Sequence, residues 1–344
     1  MSGVRAAGRP KPVNLALQGG GAHGAFTWGV IDALLADGRL AIEGISGTSA
    51  GAMNAAVMLG GIAAGGPEVA RTKLAAFWQA VSVDGNLSGP QRALLDVFLG
   101  AWGLGGGNGA GWLPFAPVFA APTTFNPLEI NPLRDVVESH IDFDAVRRYD
   151  PIKLFIAATN VHTGKVRVFR RDEMRADVLM ASAALPTLFK PVEIGGVPYW
   201  DGGYMGNPVL FPFFTETQTE DIVLVQINPI KRDETPDNAR DILERVNEIT
   251  FNASLMHEFR AIDFVRRLID AGRLKDTHYK RIRLHRIDAQ HELAGLGAAT
   301  KLKADWDFFQ RLHELGVAAG RRFLKTQFDM IGVEGTLDLQ KELA

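Results

Sequence analysis

The stretch VNLALQGGGAHGAFTWGVIDALLADGRLAIEGISGTSAG, residues 13–51, decides the fold. An apolar run over 13–17 stops at Gly19-Gly20-Gly21, the pattern of a buried strand entering a tight turn. Phe26, Val30, Ala33, Leu34 and Leu40 then recur near helical spacing, which predicts a helix from about residue 22 to 37 with Gly38 as its stop. A second strand is expected over 42–45, and 50–59 reads as a well-buried helix of small, mostly apolar residues. Between these two sits Gly47-Thr48-Ser49-Ala50-Gly51. Strand, glycine loop, helix, strand, glycine turn, helix is the opening of an α/β domain with a mostly parallel sheet.

Further along, Asn131-Pro132 reads as the N-cap and first residue of a helix reaching about His140. Strands are expected over 153–159 and 165–169, joined through 160–164, and again over 222–227. A Pro-rich, charged break comes next at 229–237. A long helix is expected over 238–273, carrying Ile242, Val246, Ile249, Leu255, Phe259, Ile262, Val265 and Leu268 on one stripe, and another over 304–324. No internal repeat and no linker marks a second independent unit. The expected organisation is a flexible arm at 1–12, one catalytic domain at 13–229 with an irregular apolar insertion at 85–126, and a helical C-terminal part at 230–344 packed on that domain.

Composition narrows the functional classes. The chain of 344 residues is 47% hydrophobic, ample for a sizeable core. Its 37 basic and 39 acidic residues leave a formal charge of -2, which gives no field to gather nucleic acid. The absence of cysteine excludes disulfides, thiolate metal sites and a cysteine nucleophile, and fits a reducing, cytoplasmic compartment. Residues 1–11 carry Arg5, Arg9 and Lys11 with no apolar run before Gly19, so they do not read as a cleaved secretory signal. The most apolar long stretch, 97–121, holds seven glycines and two prolines between Gly100 and Pro117, which argues against a membrane-spanning helix. No HExxH or similar spacing suggests a metal, and no cofactor is implied.

The chemistry gathers at three glycine turns. Gly47-x-Ser49-x-Gly51 at a strand-to-helix turn suits a nucleophile elbow, because the flanking glycines relieve crowding around a strained, exposed serine. The helix beginning at Ala50 would aim its free N–H groups at the site. Gly19-x-Gly21-x-x-Gly24 has three readings: a dinucleotide fingerprint, an oxyanion loop, or a plain tight turn. A dinucleotide site wants an acidic residue closing the second strand, but Glu43 precedes Gly44 and Ile45, and that strand runs directly into the serine turn. The oxyanion reading has Gly19, Gly20 and Gly21, with the Ala50 amide, presenting backbone donors to a tetrahedral intermediate. Asp201-Gly202-Gly203 ends a short extended run over 197–200, and by itself reads as an ordinary Asp-Gly turn sooner than as a catalytic base.

Taken together, the three turns resemble the patatin-like phospholipase family, in that family's order. A fourth stretch, Ala181-Ser182-Ala183-Ala184-Leu185-Pro186 through Phe189-Lys190-Pro191-Val192, resembles the segment preceding the family's aspartate. The resemblance covers about residues 13–208. It implies a three-layer α/β fold and hydrolysis of lipid carboxylic esters by a Ser-Asp dyad, Ser49 and Asp201, through an acyl-enzyme. Where the family often has arginine, this chain has His23, a change expected to alter loop packing or substrate contacts more than chemistry. Three alternatives stay open: a Ser-His-Asp triad drawing on one of eight histidines, an acyltransferase using the same acyl-enzyme, and a non-hydrolytic lipid-binding protein. Trp102, Trp112 and Phe115, set among glycines and prolines, either line an acyl channel, make peripheral contact with a lipid surface, or pack beneath a long loop. Composition is silent on oligomeric state.

Overall fold

In the computed structural model, residues 9–82, 132–186, 189–232, 234–237, 239–274, 279–288, 293 and 305–344 are described. The strands are β1 (Lys11–Leu17), β2 (Leu40–Gly47), β3 (Lys153–Asn160), β4 (Val166–Arg170), β5 (Val192–Ile194), β6 (Val197–Asp201), β7 (Asp221–Gln226) and β8 (Arg283–Asp288). The helices are α1 (Gly24–Asp37), α2 (Ala50–Gly65), α3 (Pro67–Val81), α4 (Pro132–His140), α5 (Phe143–Arg148), α6 (Ala176–Ser182), α7 (Pro212–Glu216), α8 (Ala239–Asp270), α9 (Trp306–Thr326) and α10 (Leu339–Leu343).

One sheet runs β5-β6-β3-β2-β1-β7-β8, with β4 on β3. The β1/β2, β1/β7, β2/β3 and β7/β8 pairs are parallel, and β3/β4, β3/β6 and β5/β6 are antiparallel. The sheet is mixed and mostly parallel, as expected. Its central strands are mostly apolar, buried over residues 13–17 of β1 and over the whole length of β7, because both faces are covered. Alternate side chains divide between two cores. Leu15, Leu17, Ile156 and Val223 pack with α1, α2, α3 and α9, while Ala16, Phe155, Leu224 and Leu284 pack under Phe213 of α7, Leu255 and Phe259 of α8, and Leu339 of α10. Helices, sheet and helices make three layers.

Four expectations need correction. β1 begins at Lys11, inside the segment read as a flexible arm, and Lys11 Nζ donates to the carbonyls of Phe328 and Ile331 at 3.1 and 2.8 Å. The first helix is preceded by a separate 3-10 turn, Gly21–His23. The C-terminal part is not purely helical: β8 adds a strand to the central sheet. Finally, Ile242, Val246 and Ile249 do not face the core; they are 44, 51 and 54% exposed, and only from Phe251 onward does α8 seat its apolar side on the sheet. The insertion at 85–126, with Trp102, Trp112 and Phe115, lies outside the described residues.

Candidate active site

Register explains how residues distant in sequence meet. On β3, Phe155 and Ile156 pair with β2 through Ser46 and Gly47, and with β4 through Arg170 and Phe169. Ala158 and Thr159 pair with β4 as well, and also with β6 through Asp201 and Trp200. β4 therefore takes one edge of β3, while β2 and β6 share the other, end to end. Gly47 and Asp201 stand opposite residues two apart on β3, about 7 Å along the strand. The turn after Gly47 carries Ser49 toward Asp201.

Ser49 has φ 53 and ψ −122, and is the only non-glycine at positive φ among the described residues. Such a backbone costs on the order of 1–3 kcal/mol and persists only where neighbours fix it. Here Ser49 N–H donates to Ser182 Oγ at 2.9 Å, and Thr48 Oγ1 donates to the Gly206 carbonyl at 2.6 Å. At Gly47 a β-carbon would stand 2.6 Å from Gly51 O, so the crossing of strand end and helix start requires glycine.

Asp201 is fully buried. Its N–H donates to Ala184 O at 2.8 Å, and its carbonyl accepts from Thr159 Oγ1 at 2.8 Å. Oδ1 accepts from Gly203 N–H at 2.6 Å, whereas Oδ2 has no partner in full hydrogen-bond geometry. Burial pushes the carboxyl up to about 7, against the opposing pull of the Gly203 N–H and the Ser49 hydroxyl. The hydroxyl thus acts on the carboxyl without meeting full hydrogen-bond geometry. Among the described residues, no histidine is one of the groups acting on Asp201. His23 is buried beside Phe308, His285 bonds Asp221, and His313 lies by Asp32.

The glycine loop lies against the elbow, where a β-carbon at Gly19 would stand 2.8 Å from Ser49 Cβ. Gly19 N–H, expected as an oxyanion donor, is already given to Asn207 Oδ1 at 2.6 Å, and Gly19 O accepts from Asn228 Nδ2 at 2.6 Å. Among the described residues no acceptor faces the N–H of Gly20, Gly21 or Ala50. The dinucleotide reading fails on Glu43, whose carboxylate is bonded to the N–H groups of Gln218 and Thr219.

The patatin-like phospholipase model matches residues 15–214, more than half of the chain and all four of these turns and stretches. The chain belongs to the patatin-like phospholipase family. Membership assigns this patatin-like protein to the lipid acyl hydrolases. In fold it is similar to VipD of Legionella pneumophila, at 16% identity and a TM-score of 0.40 over 89% of this chain and 67% of that one. It is also similar to ExoU of Pseudomonas aeruginosa, at 15% identity and a TM-score of 0.31 over 97% and 77%. No curated protein matches the chain.

Beside the patatin-like serine opens an almost wholly apolar cavity of about 40 Å³, lined by Gly21, Ser49 and Ala50 together with Met53, Trp78, Leu133 and Phe309. Among the described residues there is no cluster suited to a metal ion, and no helix long and apolar enough to cross a membrane. Sequence reasoning missed the polar frame: Ser182, Asn207, Asn228, and Gln18, whose Oε1 accepts from Ile227 and Asn228 N–H at 2.9 and 2.8 Å. The signal for Gln18 was a polar residue closing an apolar strand, and for Asn207 a polar residue shortly after the Asp-Gly-Gly turn.

Proposed function

We propose that this patatin-like phospholipase hydrolyses carboxylic esters of lipids with Ser49 as nucleophile and Asp201 as general base. The Ser49 hydroxyl attacks the ester carbonyl while Asp201 takes its proton. The amides of Gly20, Gly21 and Ala50, at the positive end of α2, hold the negative oxygen that forms. Collapse breaks the ester bond, the proton passes from Asp201 to the leaving alkoxide, and the acyl group remains on Ser49. Water, deprotonated by Asp201, then attacks the acyl carbonyl; the bond to Ser49 Oγ breaks, the proton passes from Asp201 back to that oxygen, and the acid is released. The apolar cavity receives the acyl chain, which makes lipid-like esters the substrate class.

The observation that carries this reading is the pairing of a strained serine with a buried, half-satisfied carboxyl beside amides that no acceptor among the described residues faces. Fluorophosphonate labelling with peptide mapping tests it. The label is expected on Ser49 alone, with loss of labelling and of ester turnover in Ser49→Ala. Asp201→Asn is expected to lose about 10²–10⁴-fold in kcat. Labelling at another serine, or full turnover by Ser49→Ala, would refute it.

A further inference from the structure

Glycines alone do not fix where their amides point. Gly19, Gly20 and Gly21 have no side chains to restrict the loop, and a run of glycines can visit many backbone conformations. One of its amides is fixed instead through the planarity of the peptide unit. The carbonyl of Gly19 and the N–H of Gly20 belong to the same trans unit and point in opposite directions. Whatever holds that carbonyl therefore aims that N–H. Gly19 O accepts from Asn228 Nδ2 at 2.6 Å, with a longer contact of 3.5 Å from Asn207 Nδ2. A half-turn of the unit would set the Gly20 N–H against the Asn228 amide, donor facing donor, and leave a buried amide without its acceptor.

Asn228 is itself held on several sides. Its side chain is buried, its N–H donates to Gln18 Oε1 at 2.8 Å, and its carbonyl accepts from Gln226 Nε2 at 3.0 Å. Gln18 Nε2 donates in turn to Asn252 Oδ1 at 2.9 Å, and Asn252 Nδ2 closes the circuit on the Pro229 carbonyl at 3.1 Å. A β-carbon on Gly20 would stand 2.7 Å from Ile227 Cδ1 and 3.4 Å from Asn228 Oδ1, so loop and clamp are in packing contact. Helix α8, through Asn252, fastens the segment that fastens the loop. Resting on the hydrolase reading, we infer that Asn228 is a positioning residue, which keeps the Gly20 N–H aimed at the oxyanion, and that Asn252 keeps Asn228 in place. Both lie outside residues 15–214, so the aim of the glycine loop is set from beyond the family match.

The test is steady-state kinetics of the full chain on p-nitrophenyl butanoate and on its thiono analogue, in which sulfur replaces the carbonyl oxygen. Active sites are counted by end-point fluorophosphonate labelling, so that unfolded protein drops out. Sulfur is a weak acceptor and gains little from the amides, so the ratio of ester to thionoester turnover reports how well they are aimed. Asn228→Ala is expected to lower kcat on the ester about 10–100-fold per labelled site, with KM nearly unchanged, and to lower that ratio about tenfold. Asn252→Ala, one link further out, is expected to lower the ratio about threefold, and covers the case in which Asn228→Ala does not fold. Equal losses on the two substrates would mark a merely structural role and overturn the inference. So would ester turnover within about twofold of the wild type, or a loss that falls on KM alone. Absence of any turnover by the wild type together with absence of label on Ser49 would instead strike the hydrolase reading itself.

Discussion

At the scale of single residues, the proton on Asp201 links activity to stability. Its carboxyl is raised from an ordinary 3.8 to about 7 by burial, so below that pH the base form is scarce. We expect kcat/KM to rise with pH through a midpoint near 7 and to level above it, and Asp201→Asn to erase that step. The same shift has a thermodynamic side. Between about pH 4 and 7 the folded state keeps a proton that the unfolded chain has released, so stability falls as pH rises, by up to about 4 kcal/mol. Asp201→Asn, which keeps an acceptor for Gly203 N–H, is expected to unfold at higher denaturant than the wild type at pH 8, with the gap closing toward pH 4. Asn207 belongs to this scale as well. Removing the acceptor of Gly19 N–H in Asn207→Ala frees the loop that presents the Gly20 and Gly21 amides, and is expected to lower kcat about 10–100-fold while KM changes little. Steady-state kinetics would show an equal rise in KM if the asparagine served substrate binding instead.

Elements differ in how plainly they announce themselves. β1 and β2 were legible because their buried stretches are mostly apolar, interrupted by single polar residues such as Asn14 and Ser46, and stop at glycine turns. β8 was not. Its sequence RLHRID carries charge at nearly every second position, and it enters the sheet only because those charges find partners. Arg283 pairs with Asp221 and Glu220, and His285, fully buried, bonds Asp221 Oδ1 at 2.9 Å. Against the cost of its burial, the bonds from His285, Arg283 and Gly332 hold the Asp221 carboxyl down to about 2. That stability is present above the ordinary carboxylate range and is lost as pH falls from about 4 toward 2. Asp221→Ala strands His285 and Arg283, and is expected to lower the unfolding free energy by about 3–5 kcal/mol in urea at pH 7. The exposed turns of α8 show the converse failure, since a periodic apolar stripe names a face but not what lies opposite it.

At the scale of the whole molecule, the catalytic layers are not separable from the C-terminal third of the chain. The break at 229–237 suggested a boundary, yet the chain beyond it supplies β8, the Leu255 and Phe259 side of one core, and the Phe309, Leu312 and Phe323 side of the other. A chain ending at residue 230 exposes both cores, and is expected to show no cooperative thermal transition by circular dichroism. The polar frame around the glycine loop was illegible for a related reason. Gln18, Asn207, Asn228 and Asn252 are scattered through the chain, and only the fold gathers them. The shared edge of β3 has a consequence for how such an enzyme diversifies. Since one strand acts as a common ruler for both halves of the proposed Ser49–Asp201 pair, the lengths of chain looping out between β2 and β6 leave the spacing of that pair unchanged. Insertions grafted into them can reshape what the protein recognises, whereas a single-residue slip of β6 would turn the carboxylate to the wrong face of the sheet.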